Sequence, residues 1–189
     1  RQYQSLHYVG LDFVREAMIQ ARSSQQDIER EFVQTPDLTG TRRPLTSSYF
    51  LSDLETILPF KENTFDKVCC NLVISYIRTP EETVREMVRL LKPGGRIVVT
   101  SLKPFADLSQ VYRNFVKVAK GREDITKAQK LLSNAGRIRA KEAQGIYQFF
   151  SEEALTDLLK QASVCEVETY RSLGNQANVV VGVKAWDMN

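Results

Sequence analysis

The sequence predicts an α/β fold in which a mostly parallel sheet is covered by helices and ends in an antiparallel hairpin. Two observations predict this fold. Short apolar runs alternate with segments whose apolar residues recur at helical spacing. Strands that alternate with helices in this way are typical of parallel sheets covered on both faces. The last two apolar runs have no helix between them and flank Gly174-Asn175, a turn signal.

The first elements are a strand, a helix and a second strand. Residues 8–11 form a short apolar run that ends at Asp12, and the following apolar residues keep helical spacing. Residues 34–48 are rich in Thr, Ser, Pro and Gly, which predicts a surface loop. Residues 49–51 are predicted as the second strand, just before Asp53.

The middle of the chain carries the longest apolar run and the best-marked helix. Residues 65–74 are nearly continuous in apolar character, which predicts a strand buried on both faces with Cys69 and Cys70 inside it. A helix is predicted next, because Thr79 and Glu82 have the spacing of a capping box and Pro80 suits the first helical position. Its expected buried stripe is Val84, Met87, Val88 and Leu91.

The remaining elements are predicted by turn and cap signals. The segment Pro93-Gly94-Gly95 is expected to end the helix, and residues 96–100 to return as a strand. A helical stretch over about 105–143 precedes Ser151, a predicted cap for a helix. Strands near 165–171 and 178–184 end the chain. The apolar stripe expected for the capped helix is Leu155, Leu158, Leu159 and Ala162.

Composition favours a single globular domain over residues 1–189. Of the 189 residues, 42% are hydrophobic and 26% charged, which is too apolar for a disordered chain. The apolar runs are far shorter than the roughly 20 residues that a membrane span needs. No secretory signal is visible, and three cysteines make a disulfide framework or a metal site a poor expectation, so a reducing cytoplasm is predicted. The start at Arg1, with strand-like residues by Tyr8, predicts an excised part of a longer polypeptide.

Residues just after the predicted strands are the first candidates for a ligand site. Ligands of open α/β sheets bind beyond the carboxyl ends of the strands, which here are followed by Asp12, Asp53, Asn71 and residues 101–103. A carboxylate such as Asp12 accepts both O–H groups of a ribose diol. The alternative for Asp12 is an ordinary helix N-cap.

Four blocks of sequence follow one another in the chain: Tyr8–Asp12, Asp53–Phe60, Asn63–Val68 and Leu90–Val98. In this order they resemble the motifs of class I S-adenosylmethionine-dependent methyltransferases of the type 11 or UbiE-like subgroup. The resemblance continues through Phe150–Leu155 and the terminal hairpin, so it covers most of the chain outside about 104–148. It implies a Rossmann-like methyltransferase sheet, S-adenosylmethionine as the cofactor, and attack by a substrate nucleophile on the sulfonium methyl group.

The resemblance also implies a role for five residues. Asp12 would hold the ribose hydroxyls, and Phe13 would lie against the adenine. Asp53 would accept from the adenine amino group, while the backbone N–H of Leu54 reaches a ring nitrogen. Asn71 would lie near the methionine part of the cofactor. A place in the core is the alternative for Phe13. No catalytic residue is assigned, because methyl transfer depends more on alignment than on an obligatory side chain.

The sequence departs from the family in three places. No Gly-x-Gly occurs, so we expect the first strand and glycine-rich loop of the family to lie upstream of Arg1, with the sheet incomplete on that side and this fragment inactive. Asp12 and Asp53 are 41 positions apart, which suggests an insertion around 34–48 and leaves the register of Asp53 open.

The third departure follows Asn71, where relatives often have histidines and this chain reads Leu-Val-Ile-Ser-Tyr. Ser75 and Tyr76 are therefore left unassigned. His7, which is expected to precede the first strand, is interpreted as a solvated or packing residue.

The segment 113–141 concentrates positive charge. It holds nine basic and two acidic residues, a net charge of +7, whereas the whole chain is +3 and everything else is therefore −4. Its apolar residues predict two amphipathic helices that form a lid insertion at about 104–148. A basic lid suits an acidic or amphiphilic small molecule or a lipid headgroup, and the alternative is an ordinary solvated helix face. Nucleic acid is not predicted, because aromatic residues are not interleaved with the charges.

Two function classes follow from these observations. The first is a methyltransferase domain that transfers a methyl group to a small-molecule acceptor. The second is a non-catalytic methyltransferase-fold module for binding or dimerisation. An incomplete sheet exposes a strand edge, which predicts self-association of the chain. We also expect weak or no cofactor binding by this chain and micromolar binding by the full-length protein.

Overall fold

A computed structural model describes residues 6–34, 45–118 and 121–186. The chain divides into two compact units, Arg1–Leu58 and Pro59–Asn189, here called the first and second units. The strands are β1 Leu6–Asp12, β2 Leu45–Leu51, β3 Phe65–Asn71, β4 Leu91–Leu102, β5 Val164–Ser172 and β6 Ala177–Lys184. The helices are α1 Arg15–Gln34, α2 Pro80–Leu90, α3 Leu108–Val118, α4 Arg122–Ala143 and α5 Glu152–Gln161, with a 3₁₀ helix over Ile74–Tyr76.

The first unit is a strand–helix–strand motif. Strands β1 and β2 are parallel, and α1 connects and contacts both. Gly10 is needed in β1 because a Cβ there would lie 2.7 Å from Cδ1 of Tyr49. Strand β2 begins at Leu45, so the predicted loop is wrong for residues 45–48, while 35–44 lie outside the described residues. Pairing with β1 draws these Thr and Ser residues into a strand that local composition did not predict.

His7 lies inside β1 rather than before it. The sequence placed the start of the strand at Tyr8, but pairing with β2 extends it to Leu6. The imidazole Nδ1 is 2.7 Å from the hydroxyl of Thr46 on the neighbouring strand. This contact gives His7 a cross-strand structural role.

The second unit contains a four-stranded sheet in the order β3-β4-β6-β5. Strands β3 and β4 are parallel, and the last two strands pair antiparallel with β4 and with each other. Parallel pairs early in the chain and an antiparallel hairpin at its end confirm the predicted α/β class. The main core lies here, formed by buried side chains of α2, α5, β4 and β6. Its members include the predicted stripes of α2 and α5, which are therefore confirmed.

Strand β3 is shorter and more exposed than the sequence predicted. It ends at Asn71 instead of Ile74, because Leu72 turns the chain with a φ of 58° and a 3₁₀ helix follows. Cys70 is the one buried residue among its seven, whereas Cys69 is exposed. In the described sheet β3 is an end strand that pairs with β4, so burial on both faces is a wrong prediction for this unit.

Helix α2 begins as predicted but ends earlier. Pro80 occupies the first turn, but the Thr79 side chain makes no capping hydrogen bond. Instead the N–H of Thr83 donates to the Thr79 carbonyl oxygen at 3.1 Å. The helix ends at Leu90, before Pro93-Gly94-Gly95, because Leu91 is already extended and pairs with Phe65 of β3.

The later elements follow the predictions closely. Ser151 is the N-cap of α5, and its Oγ accepts from the N–H of Ala154 at 3.1 Å. The predicted pair of helices in the lid segment is present as α3 and α4, with residues 119–120 outside the description. A second apolar cluster packs these helices where β4 ends; it includes Leu102, Leu108, Val111, Ala135 and Ile138. In the part of the chain that the structure describes, no helix is both long and apolar enough to cross a bilayer.

Candidate functional site

Two acidic residues lie at the same edge of the first unit. Asp12 ends β1 and is the register partner of Leu51, the last residue of β2. The N–H of Ser52 donates to the Asp12 carbonyl oxygen at 2.9 Å, and Asp53 is the next residue. The structure therefore brings Asp12 and Asp53 together at the carboxyl ends of two neighbouring parallel strands. The 41-residue separation in sequence does not displace Asp53 from this edge.

Both carboxylates have the same local geometry. Oδ1 of Asp12 accepts from the N–H of Val14 at 2.8 Å, and Oδ1 of Asp53 accepts from the N–H of Glu55 at 2.9 Å. Each bond closes a turn from residue i to residue i+2, as Asp side chains often do. Since α1 begins at Arg15, Asp12 is not its N-cap, and that alternative is wrong. Oδ2 of each carboxylate accepts no hydrogen bond from the described residues, so it remains available to a ligand.

An exposed aromatic ring lies beside the first carboxylate. Phe13 follows Asp12 directly and is 71% exposed, so the alternative of a place in the core is wrong for the described unit. Leu54 follows Asp53 and is half-buried. An exposed phenyl face offers a stacking surface for a flat ring system.

The chemistry of this edge fits an adenosyl group. The ribose diol supplies two O–H donors and the adenine amino group supplies N–H donors, which match the carboxylate acceptors Asp12 and Asp53. The adenine face matches the exposed ring of Phe13. These three side chains come from the same edge of one unit.

The fifth predicted residue, Asn71, belongs to the second unit. It ends β3, is exposed, and is the register partner of Thr100 on β4. Its Oδ1 accepts from the Thr100 hydroxyl at 2.7 Å. The same hydroxyl accepts from the N–H of Leu72 at 2.7 Å. The structure therefore places Asn71 in a hydrogen-bonded turn at the carboxyl end of β3, beside Thr100 of β4.

Ser75 is a buried structural residue. Its hydroxyl is 2.8 Å from that of Ser101, which itself donates to the carbonyl of Leu102 at 2.7 Å. The N–H of Phe150 donates to the Ser101 hydroxyl at 3.1 Å. Because the Ser101 proton is committed to Leu102, the Ser75 hydroxyl is the donor of the pair. These bonds join the turn after β3 to β4 and to the segment before α5.

An aromatic cluster surrounds Tyr76, next to this turn. The rings of Tyr76 and Tyr147 meet edge-to-face with centroids 4.6 Å apart, and Phe149 lies 6.4 Å from both. The Lys141 ammonium lies 5.0 Å from the centre of the Tyr147 ring and donates to its hydroxyl at 3.2 Å. Burial, with Tyr147 adding to it, raises the pKa of Tyr76, so its hydroxyl stays protonated at neutral pH.

Sequence reasoning missed Thr100, Tyr147 and Phe149. Thr100 could have been found from the pairing of two apolar runs, since it lies beside Asn71, the last residue of β3, two residues before β4 ends. The two aromatic residues had no local signal, because a loop after α4 brings them to Tyr76.

Basic side chains of α3 and α4 are only partly described. Arg137 and Arg139 on α4 are exposed, and Lys141 contacts Tyr147 as above. Arg113 on α3 lies 3.6 Å from Asp107, which neutralises part of the charge. Several basic side chains in the first half of α4 lie outside the description, so the full +7 of this segment is not placed.

Comparison with known proteins identifies the family. A family model for the methyltransferase domain matches residues 1–99, which is more than half of the chain. A ubiquinone/menaquinone biosynthesis C-methyltransferase UbiE of Cronobacter sakazakii is 29% identical over 127 residues, covering 62% of this chain and 45% of that protein. The chain thus spans about half the length of such curated relatives.

Solved structures share the fold at low sequence identity. A SAM-dependent methyltransferase of Methanosarcina mazei has a TM-score of 0.56 at 13% identity, covering 98% of this chain and 95% of that one. The CurJ carbon methyltransferase has a TM-score of 0.58 at 17% identity, covering 95% of this chain and 42% of that one. With the family match and the paired acidic strand ends, these likenesses show that the chain belongs to the methyltransferase-domain family, whose cofactor is S-adenosylmethionine.

Proposed function

We propose that this chain is the cofactor-binding and acceptor-binding part of an S-adenosylmethionine-dependent methyltransferase that acts on a small molecule. The observation that carries the proposal is the pair of carboxylates, Asp12 and Asp53, at neighbouring strand ends of the first unit. Each keeps one oxygen for a ligand while the other closes its own turn. Such a pair of acceptors suits the donors of an adenosine.

Each predicted site residue has a proposed task. Asp12 accepts the ribose hydroxyls, and Asp53 accepts from the adenine amino group. Phe13 stacks on the adenine, and the N–H of Leu54 donates to a ring nitrogen. Asn71 binds the methionyl part of the cofactor. These tasks position the cofactor and involve no proton transfer.

Alignment is the main contribution of the chain to the reaction. When bound, S-adenosylmethionine supplies a methyl group on a sulfonium, which makes the methyl electrophilic and the leaving group a neutral thioether. Positioning two reactants can supply about 7–11 kcal/mol of a barrier. Residues that hold and orient the cofactor therefore account for catalysis without an assigned general base.

The proposed acceptor is a small amphiphilic molecule with an acidic group. Beyond the ends of β3 and β4 the second unit exposes apolar side chains, among them Tyr76 at 43% and Phe105 at 72%. The N–H of Phe105 donates to Glu142 in the last turn of α4 at 2.8 Å, and Lys141 of the same turn contacts Tyr147. Apolar rings beside a cation suit a molecule with an apolar body and a negative charge. The relatives named for ubiquinone and menaquinone biosynthesis support a small-molecule acceptor.

Self-association through the first unit is part of the proposal. Among the described strands β1 pairs with β2, and its other edge carries no strand. An exposed parallel edge with apolar side chains such as Leu6 and Tyr8 favours pairing with a second copy. Light scattering is expected to show a dimer or larger species, and a strict monomer would contradict this part. The single-domain organisation, the lid and the cytoplasmic location stay predictions.

Calorimetric titration with S-adenosylhomocysteine tests the cofactor site. The protein expressed from its complete gene is expected to bind with micromolar affinity. Asp12→Ala and Asp53→Ala are each expected to weaken binding about 10-fold or more, because a charge-assisted hydrogen bond is lost. Asp66→Ala is the matched control, since Asp66 is an exposed carboxylate of the second unit that pairs with Lys92 at 2.9 Å.

The outcomes separate the two function classes. Binding that Asp12→Ala weakens and Asp66→Ala leaves unchanged supports the enzyme. No binding by the unaltered protein supports the non-catalytic methyltransferase-fold module. Binding that neither strand-end substitution affects would show that the cofactor site lies elsewhere.

A further inference from the structure

The end of β3 and the neighbouring part of β4 hold a polar pair whose hydrogen-bond directions can be assigned. Asn71 and Thr100 are register partners on parallel strands, so their side chains stand next to each other at the sheet edge. Thr100 is buried, whereas Asn71 is exposed. The buried hydroxyl therefore sets the orientation of the exposed amide.

The protons of this pair have one consistent arrangement. The Thr100 oxygen accepts from the N–H of Leu72 at 2.7 Å, and its single proton is donated to Oδ1 of Asn71 at 2.7 Å. If the amide of Asn71 were reversed, the Thr100 proton would lose its acceptor among the described residues, and a buried unpaired donor costs stability. Oδ1 therefore faces Thr100, and Nδ2 faces away from it.

Backbone geometry at the turn points to the same residue. Leu72 has a φ of 58°, a left-handed conformation that a branched side chain rarely adopts. Its N–H is held by both the carbonyl oxygen and the hydroxyl of Thr100, at 3.2 and 2.7 Å. Strained turns persist where the surrounding structure determines them, and they concentrate at functional sites. Thr100 thus holds both the turn and the Asn71 side chain.

We propose that Thr100 is a positioning residue that orients the Asn71 amide so that its two Nδ2–H groups bind a carboxylate of the ligand. Nδ2 of Asn71 donates to none of the described residues, and its side is exposed. Two N–H donors select an acceptor oxygen, and a carboxylate gives the stronger, charge-assisted bond. The inference rests on the proposed function, because the methionyl part of S-adenosylmethionine carries such a carboxylate.

Two matched ligands and two matched substitutions test the inference. S-adenosyl-3-thiopropylamine is S-adenosylhomocysteine without its carboxylate. Thr100→Val keeps the shape of the side chain and removes the hydroxyl, whereas Thr100→Ser keeps the hydroxyl. Affinities for both ligands are measured by calorimetry on the protein expressed from its complete gene.

The substitution at Thr100 is expected to weaken binding of the ligand that has a carboxylate much more than binding of the ligand that lacks it. Thr100→Val weakens binding of S-adenosylhomocysteine about 10-fold and of S-adenosyl-3-thiopropylamine less than about 2-fold, and Thr100→Ser restores the first affinity to within about 2-fold. Asn71→Asp keeps an acceptor for the Thr100 proton but has no N–H, so it weakens S-adenosylhomocysteine at least as strongly. The side-chain amide signals of Asn71 in NMR shift in Thr100→Val and not in Thr100→Ser.

Other outcomes overturn the inference. Equal losses for both ligands in Thr100→Val would make Thr100 a general structural residue. Equal affinity of the unaltered protein for both ligands would show that no carboxylate binds at Asn71, while the proposed function would stand. Binding of neither ligand would overturn the proposed function and this inference with it. A thermal unfolding midpoint for each variant identifies one that does not fold, and the ligand selectivity of Asn71→Asp then decides.

Discussion

The two units of this chain divide chemistry and packing between them. The first unit places two carboxylates and an exposed phenyl ring at one sheet edge, and apolar residues such as Ile57 are 85% exposed. Among the described side chains of this unit, Leu58 is the one hydrophobic side chain that is buried. The second unit buries Ile97 and Leu155 completely and forms both apolar clusters. The comparison teaches that candidate ligand-binding groups can be assembled where little apolar surface is buried.

The cause is the number of layers in each unit. A two-stranded parallel sheet with one helix has few inward-facing positions, because its connecting helix covers only part of the sheet. Four strands with α2 and α5 packed on them supply many more. Since the free energy of unfolding increases with buried apolar area, we expect the second unit to contribute most of the stability of the chain.

The largest expected effect is on the free energy of unfolding, when an isoleucine is replaced by alanine in each of the two units. Ile97→Ala, at a fully buried position of β4, is expected to lower the free energy of unfolding by about 2–5 kcal/mol. Ile57→Ala, at an exposed position of the first unit, is expected to change it by less than about 0.5 kcal/mol. Urea unfolding followed by circular dichroism measures both. Similar losses for the two variants would break the comparison.

Amide hydrogen exchange sharpens the comparison residue by residue. Backbone amides of β4 and β6 pair within the main core and are expected to exchange slowest, near the global opening free energy. Amides of β1 and β2 are expected to open at a free energy lower by at least about 2 kcal/mol. NMR-detected exchange in D₂O gives both values. Equal protection of the two sheets would show that the first unit is as stable as the second.

The pH dependence of stability is expected to report on the second unit. Burial raises the pKa of Cys70 from 9.0 to about 11, so the folded state keeps the thiol neutral while the unfolded state ionises it. The free energy of unfolding therefore falls as pH rises from about 9 to about 11, by on the order of 2 kcal/mol. Cys70→Val should remove most of this slope. Cys165→Val, at an exposed position, is the control, and an equal flattening there would contradict the assignment.

The smallest expected effect separates two helix starts that look alike in sequence. Ser151→Ala should cost about 1 kcal/mol, because it removes the bond from the Ala154 N–H to the Ser151 hydroxyl. Thr79→Ala should cost less than about 0.5 kcal/mol, because the Thr79 side chain makes no capping bond. Thermal unfolding of the two variants measures the difference. A larger loss for Thr79→Ala would show that its side chain stabilises α2 in another way.

Local signals predicted the elements that depend on local chemistry. The cap of α5, the apolar stripe of α2 and the hairpin at Gly174-Asn175 were all predictable, because spacing and turn residues specify them within a few positions. The end of β3 and the end of α2 were not: a left-handed turn at Leu72 ends the strand, and the pairing of Leu91 with Phe65 ends the helix. Cys69 was wrongly placed in the core, since sequence does not reveal which strand lies at the end of a sheet.

The sequence alone determined the alternation of strands and helices, the acidic residues that follow β1 and β2, and the family to which these blocks belong. Tertiary structure decided that Asp12 and Asp53 share one edge, that Phe13 is exposed, and that the Thr100 hydroxyl donates to Asn71. The physical reason is distance along the chain. Periodicity and capping act over a few residues, whereas these contacts join residues about 30 to 40 positions apart, and strand pairing alone brings them together.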